Sequence, residues 1–272
     1  TVALASVFGP RWFRLADPIG RTFGIVGRLA MIRPDGPFAL RIGLPAEGIL
    51  EHGSEFRGET GLIIVLIGII LFDGMAMTPL WTEFVDGLTA APIVQSYLLS
   101  GEAMGLNQTM VLKTVGLFLT VATFGVVYLL VVGMMRQAAA GGRDTPACTP
   151  LFVVTLLPIA LAYHLSHHVG SVVSVSQSTR KALSDPFASG WDLFDTAVLT
   201  NVGTKNGASD FWSIALGAVL VGHGIAVLLG HRRALQVFGT GRSAARSQMP
   251  MTIATLGLTL LSLWILSQPI VA

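Results

Sequence analysis

Five residues of this chain combine ligand or acid–base chemistry with an apolar setting: Asp73, His164, His167, His168 and His223. In the run His164-Leu165-Ser166-His167-His168 the imidazoles fall within about 100° of one helical face, because steps of three and four residues bring side chains to the same side. Neutral imidazole is the commonest transition-metal ligand, and an i, i+4 pair can chelate from one helix while other helices complete the shell. His164, His168 and His223 with Asp73 make a nitrogen-rich set suited to zinc, copper or iron, with zinc the first choice for hydrolysis. Asp73 serves in that set as a ligand, as a general base, or as the carboxylate that orients a ligating ring by accepting its other N–H. His167 is expected behind the ligands or on the outer face. The same residues also suit a haem or other cofactor, a proton relay, or buried polar groups satisfied by their neighbours. His231, beside Arg232 and Arg233, reads as an interfacial residue, and His52 belongs to no cluster.

The elements that must position these groups are membrane helices. Apolar residues make up 52% of the chain and charged residues 12%, and the mean hydropathy is +0.70, which excludes an ordinary soluble domain. Continuous apolar runs at about 61–81, 110–135, 150–175, 211–230 and 249–271 each approach the roughly 20 residues that cross a hydrocarbon core. The expected fold is therefore an all-α, polytopic transmembrane helix bundle of about five spans. Residues 1–60 interleave seven Arg with apolar pairs, as in Arg11-Trp12-Phe13-Arg14, the pattern of an amphipathic segment lying on the membrane surface. Residues 61–272 form the bundle, with a long outer loop at about 176–210.

Basic residues are divided among the loops and form no block, which argues against nucleic acid as a partner. Their distribution orients the chain instead. Thirteen Lys and Arg lie in 1–60, 136–149 and 231–248, against three in the alternate loops, so the N-terminal segment is expected inside and the C-terminus outside the cytoplasmic membrane. On this topology His164 lies ~16 Å from the outer end of its helix, His168 ~10 Å, His223 ~18 Å and Asp73 ~12 Å. The shared depth joins residues of three helices into one candidate site. An Asp in mid-span costs about 2.5 to 3.5 kcal/mol on insertion scales, so Asp73 needs a partner or a task.

Other features concern packing. Ala218, Gly222, Ala226 and Gly230 form an every-fourth series of small residues that admits a close helix neighbour. Thr252, Thr255, Thr259 and Ser262 lie in one narrow arc and suit hydrogen bonds across or within helices. Pro158 is expected to bend its helix before the histidines. The outer loop, with Trp191, Asp192 and Asp195, is long enough to fold over the histidines as a lid. Tyr163, Trp264, Ser267 and Gln268 lie near the same depth, and Trp81 and Glu83 stand where an entrance would be. The single cysteine, Cys148, excludes an internal disulfide and any cysteine-cluster metal site. There is no phosphate-binding loop and no fixed-period repeat.

The segments FDGMAMTPLW at 72–81, LLPIALAYHLSHHVG at 156–170, GHGIAVLLGHRRAL at 222–235, RSQMPM and SLWILSQP together resemble a bacterial integral membrane protein family known as fenitrothion hydrolase, over most of the chain from about residue 60. The resemblance implies cleavage of organophosphate triesters by an inner-membrane protein. It carries no established catalytic residues to this sequence. It also implies further hydrophobic segments N-terminal to Thr1, so that this chain is a processed or partial version. With that activity, a metal-activated water would attack phosphorus in an apolar substrate entering from the lipid. The competing class is a non-hydrolytic subunit of a respiratory or oxidative membrane assembly holding copper, iron or haem, with membrane-protein partners or further copies of itself.

The orientation predicts that a cysteine introduced at Ala272 reacts with an impermeant thiol reagent added to intact cells. Protection there, with labelling at Ala140, would reverse the topology.

Overall fold

A threonine and a proline decide how the first apolar run is used. Thr78 has extended backbone angles (φ −90°, ψ 151°) and its hydroxyl oxygen accepts from the Trp81 N–H at 3.3 Å, while Pro79 begins the next helix. A side-chain N-cap followed by Pro at the first helical position is a strong helix start. The same hydroxyl donates to the Met75 carbonyl at 2.7 Å and closes the preceding helix. The run at 61–81 is therefore not one rod but two helices, Glu59–Met75 and Pro79–Thr89, bent by 86°. The first has 17 residues, about 25 Å of helix, a little short of a full crossing.

The computed structural model describes residues 2–36, 38–51, 58–139, 148–196, 205–239 and 241–268. In chain order the helices are α1 (Val2–Phe8), α2 (Arg11–Leu15), α3 (Pro18–Gly27), α4 (Gly48–Glu51), α5 (Glu59–Met75), α6 (Pro79–Thr89), α7 (Pro92–Ala103), α8 (Gln108–Ala139), α9 (Cys148–Val153), α10 (Leu157–Ser184), α11 (Lys205–Phe238) and α12 (Arg242–Ser267). A small antiparallel hairpin, β1 (Ile32–Pro34) and β2 (Leu40–Ile42), pairs Ile32 with Ile42. The fold is an all-α polytopic bundle. Among the described residues, four helices are long and apolar enough to cross a membrane, or five spans result if the bent pair α5–α6 counts as one.

The N-terminal segment is more structured than a single surface helix. Its first three helices leave Val2, Leu4, Val7, Phe8, Phe13, Ile19 and Phe23 exposed, a face that water does not favour and a lipid surface does. The segment is fixed to one end of the bundle, here called proximal. Arg28 and Glu59, both buried, are paired at 2.5 Å, and Arg233 of α11 donates to the Ile49 carbonyl at 2.5 Å. Ile25, Ala46 and Ile49 join the bundle's main hydrophobic core.

The α-helical pattern is interrupted just before Pro158. A 3₁₀ turn at Val154–Leu156 separates α9 from α10, and Pro158 lies in the first turn of α10. The hydrogen bond that proline cannot donate thus falls where the helical ladder restarts. The small-residue series of α11 is also used. A Cβ on Gly222 would overlap that of Ala162 and lie 2.7 Å from the Pro158 carbonyl oxygen, so glycine allows α11 to touch the α10 backbone. Nearer the opposite, distal end, the Ser166 hydroxyl lies 2.7 Å from its own-turn Ala162 carbonyl and 2.8 Å from Ala215 of α11, sharing its proton between them.

Gly222→Val is expected to lower stability by about 1 to 3 kcal/mol through overpacking, read as a thermal midpoint in detergent. Gly224→Val, where a new Cβ meets nothing within 4 Å, is the control. Equal losses in the two would assign the effect to the residue type and not to the seam.

Candidate functional site

The three imidazoles of α10 lie on one face near the distal end. The His164 and His168 rings meet edge to face with centroids 4.5 Å apart, and His167 and His168 are 5.1 Å apart. Asp73 occupies the last turn of α5, just before the Thr78–Pro79 corner. Its Oδ2 lies 3.4 Å from His167 Nε2, with the His167 side chain 14% and the Asp73 side chain 46% exposed. Because α5 ends at Met75, Asp73 lies within a few ångströms of its helix end and not ~12 Å inside it, as a straight helix to residue 81 would have placed it.

Gly74 is the residue that lets this pair form. A Cβ there would run into the Tyr163 hydroxyl and approach Ile265 Cγ2 to 3.2 Å, so only glycine allows α5 to come this near α10. Tyr163 in turn stacks its ring parallel to that of His167, at 6.1 Å and 11°. The carboxylate, the imidazole and the phenol thus form one packed unit.

His223 stands apart from this unit. It is 4% exposed, and its Nδ1 donates to the Val219 carbonyl at 2.8 Å. The contacts of Gly222 with Pro158 and of Ser166 with Ala215 set α10 and α11 antiparallel in a register that brings His223 level with Pro158. Six residues of helix separate that level from His164 and ten from His168, about 9 and 15 Å along the bundle. The structure therefore gathers Asp73, His164 and His168 at one end, through His167, and places His223 deeper. Among the described residues, no three His, Cys, Asp or Glu side chains already converge as the shell of an ion. His231 is exposed and pairs through Nδ1 with Gln248 Oε1 at 2.6 Å. His52 lies outside the described residues.

The other expected neighbours divide in the same way. Ser267 and Gln268 turn back to the Trp264 carbonyl of their own helix. Trp81 packs edge-on against Phe72 and lines an apolar cleft of about 580 Å³ with Met75, Leu80, Phe84, Leu119 and Ile265. Ile265 is thus shared between the cleft and the contact at Gly74. Glu83 is exposed on α6. The loop expected at 176–210 is shorter than that, because α10 continues to Ser184 and α11 begins at Lys205. Its described part folds onto the end of α10: the Ser184 hydroxyl donates to Asp192 Oδ1 at 2.8 Å, and the Thr196 hydroxyl donates to the Arg180 carbonyl at 3.4 Å. Arg180 lies 12 residues beyond His168, about 18 Å of helix, so residues 185–196 do not cover the imidazoles. Residues 197–204 lie outside the described part.

Comparison with known protein families, with curated proteins and with solved structures finds no match to this chain. The residues and their surroundings are what speak for the site.

An acid–base pair in contact should show coupling that separated groups lack. A double-mutant cycle with Asp73→Asn and His167→Gln is expected to give about 0.5 to 1 kcal/mol of interaction free energy, at the low end for residues in contact because Asp73 is half exposed. The cycle of Asp73→Asn with His223→Gln should be additive. Coupling to His223 as strong as that to His167 would contradict the geometry.

Proposed function

We propose that this protein binds one transition-metal ion on the histidine face of α10 and uses it to hydrolyse an apolar ester, phosphotriesters being the first candidates, that arrives through the membrane. The observation that carries the proposal is the Asp73–His167 contact beside two further imidazoles, on helices otherwise built for lipid. Two imidazoles on one tetrahedral ion have ring centroids about 5 Å apart, given metal–nitrogen distances near 2.0 to 2.1 Å. The separations of 4.5 and 5.1 Å on α10 are close to that value, which supports ligation of one ion by these rings once they rotate. His167 keeps Nδ1 for the ion while Asp73 holds Nε2, the arrangement that fixes the orientation of ligating histidines in known metal sites.

This assignment differs from the one drawn from sequence. His164, His168 and His167 become the ligands, Asp73 becomes the orienting carboxylate, and His223 is left out. Zinc is the first choice, because an ion of that kind lowers the pKa of bound water to about 7 and polarises a phosphoryl oxygen. The resemblance of the 72–81 and 156–170 segments to fenitrothion hydrolases supports the substrate class. The apolar cleft beside Met75 and Trp81 supports a route from the lipid, being of the volume that small-molecule sites occupy, about 300 to 1,000 Å³. The basic residues of the proximal segments support a bacterial inner-membrane location with the N-terminal segment in the cytoplasm and the site in the outer half.

Metal analysis of the purified protein tests this. About one ion per chain is expected in wild type, with His164→Ala and His168→Ala losing most of it and His223→Ala and His231→Ala keeping it. A wild-type protein that takes up no zinc, copper or iron would overturn the proposal, as would loss of metal in His223→Ala alone. A Soret band would assign the histidines to haem and the protein to an oxidative assembly. Release of a nitrophenol from a dialkyl nitrophenyl phosphate, abolished with the metal, reads the hydrolysis.

A further inference from the structure

The β1–β2 hairpin carries its side chains the wrong way round for a sheet in water. Its register pairs Ile32 with Ile42, Arg33 with Arg41 and Pro34 with Leu40, so alternate pairs face opposite sides and each side is of one kind. The two arginines face the protein. Arg33 pairs with Glu47 at 2.9 Å and with Glu51, and Arg41 pairs with Glu51 at 3.2 Å and with Glu47 at 3.6 Å. Gly48 leaves the space for this clamp, since a Cβ there would stand 3.2 Å from Arg33 Nη1 and 2.8 Å from the Arg28 carbonyl oxygen. The other face is apolar and open: Ile32, Leu40 and Ile42 are 59%, 74% and 77% exposed, and Phe38 of the connecting turn is wholly so. A two-stranded sheet is marginal by itself, and the clamp holds this one in place with its apolar face outward.

The mounting of the sheet decides what covers that face. Glu47 and Glu51 are four residues apart and lie on one side of α4, while Ile49, two residues from each, lies on the other, where it joins the hydrophobic core. The layers are therefore α11, α4 and the sheet, with the apolar face turned away from the bundle. Arg233 of α11 fixes the level of α4 by donating to the Ile49 carbonyl. The candidate span of α11 continues five residues past Arg233, to Phe238, about 7 Å of helix. The sheet thus stands level with the last turns of spanning helix, the depth of the interfacial layer that borders the hydrocarbon core. Arg232 beside this joint, with Arg242 and Arg246 at the start of α12, are exposed cations at the same end, of the kind that anionic headgroups attract. A second copy is the other cover an apolar face could have. A specific protein interface takes about 800 Å² and roughly 20 to 30 residues a side, however, and this face has four large side chains.

We propose that the hairpin is a lipid-binding wedge: Ile32, Phe38, Leu40 and Ile42 seat among the headgroups and upper acyl chains of the proximal leaflet, while the Arg33 and Arg41 clamp ties them to α4 and α11. The open strand edges and the exposed Asp35 of the turn keep the sheet out of the hydrocarbon, where unpaired backbone is not tolerated. The wedge differs from the exposed face of α1–α3, because amphipathic helices are the usual form of an interfacial segment and a sheet with inward arginines is not. It holds the proximal end of the bundle at a set depth without a spanning segment of its own. The inference does not rest on the metal reading.

The test uses the whole protein in nanodiscs of phosphatidylethanolamine and phosphatidylglycerol, and neither metal nor activity enters its readout. Leu40→Cys and Ile42→Cys are labelled with an environment-sensitive fluorophore, with the wild type, whose single Cys148 is buried, as the blank. Emission should be quenched several-fold more by a lipid carrying a nitroxide near the top of its acyl chain than by one carrying it at the chain end, and only weakly by iodide in the water. Strong quenching by iodide with none from either lipid would place the face in water. Protection from all three quenchers would place it under another protein, and either result overturns the proposal. The clamp is read from the same probe at residue 42. Arg33→Gln should lower its fluorescence anisotropy as the sheet gains freedom, and unchanged anisotropy would rule out the ion pairs as what holds the wedge.

Discussion

The close approach of α5 to α10 at Gly74 is the contact on which the polar chemistry of this molecule depends. A side chain at that position would collide with the Tyr163 hydroxyl, push α5 outward and separate Asp73 from His167. The approach needs a second condition, since a helix continuing straight past Met75 would leave Asp73 in mid-span. The Thr78–Pro79 corner ends α5 within one turn of the carboxylate, where half of its side chain stays exposed. An aspartate at a helix end escapes much of the cost of one at the bilayer centre. The corner and the glycine together make a carboxylate–imidazole pair tolerable next to lipid.

The same logic orders the rest of the bundle. At the proximal end, the buried Arg28–Glu59 pair and the Arg233–Ile49 bond seal the N-terminal segment onto α5 and α11. Removing one partner from a buried pair leaves an uncompensated charge and typically costs about 3 to 5 kcal/mol. This joint makes the segment part of the bundle although its outer face is apolar and exposed. Between the two ends, the described polar side chains that face the interior are neutral hydroxyls, the phenols of Tyr128 and Tyr163, and one imidazole. Ser166 meets the demand for partners by bonding across to α11, and Thr155 by donating to the Phe152 carbonyl at 2.6 Å.

The membrane architecture was legible in the sequence because hydropathy alone decides whether a run can cross a bilayer, and the long apolar runs became α8, the α9–α10 pair, α11 and α12. The packing seam was legible for a similar reason: the spacing of Ala218, Gly222, Ala226 and Gly230 is a property of one helix. The first run misled because Pro79, Leu80 and Trp81 are apolar enough to extend it, although Thr78 followed by Pro79 already carried the signature of a new helix. The partner of Asp73 was not legible. Periodicity placed three imidazoles on one face of α10, but which of them meets Asp73 depends on how α10 is rotated against α5, and that is set by the contact of Tyr163 with Gly74. Depth counted from helix ends grouped His223 with the others because such a count carries no information on how far one helix extends past its neighbour. The register between α10 and α11, a property of two helices together, separates them.

That separation bears on what His223 is for. An imidazole whose Nδ1 is held by its own helix and whose Nε2 lacks a partner is poorly explained as packing, since a residue such as Leu or Met would fill the same space without leaving a polar atom unsatisfied. It is equally poorly explained as a ligand of an ion 9 Å or more away along the bundle. The two nearby groups of the interior in the same condition are the Tyr163 and Ser262 hydroxyls. These two line one small cavity inside the bundle, a polar centre distinct from the histidine face. Tyr163 belongs to both, so the position of one phenol ties the chemistry at the distal surface to the polar interior beneath it.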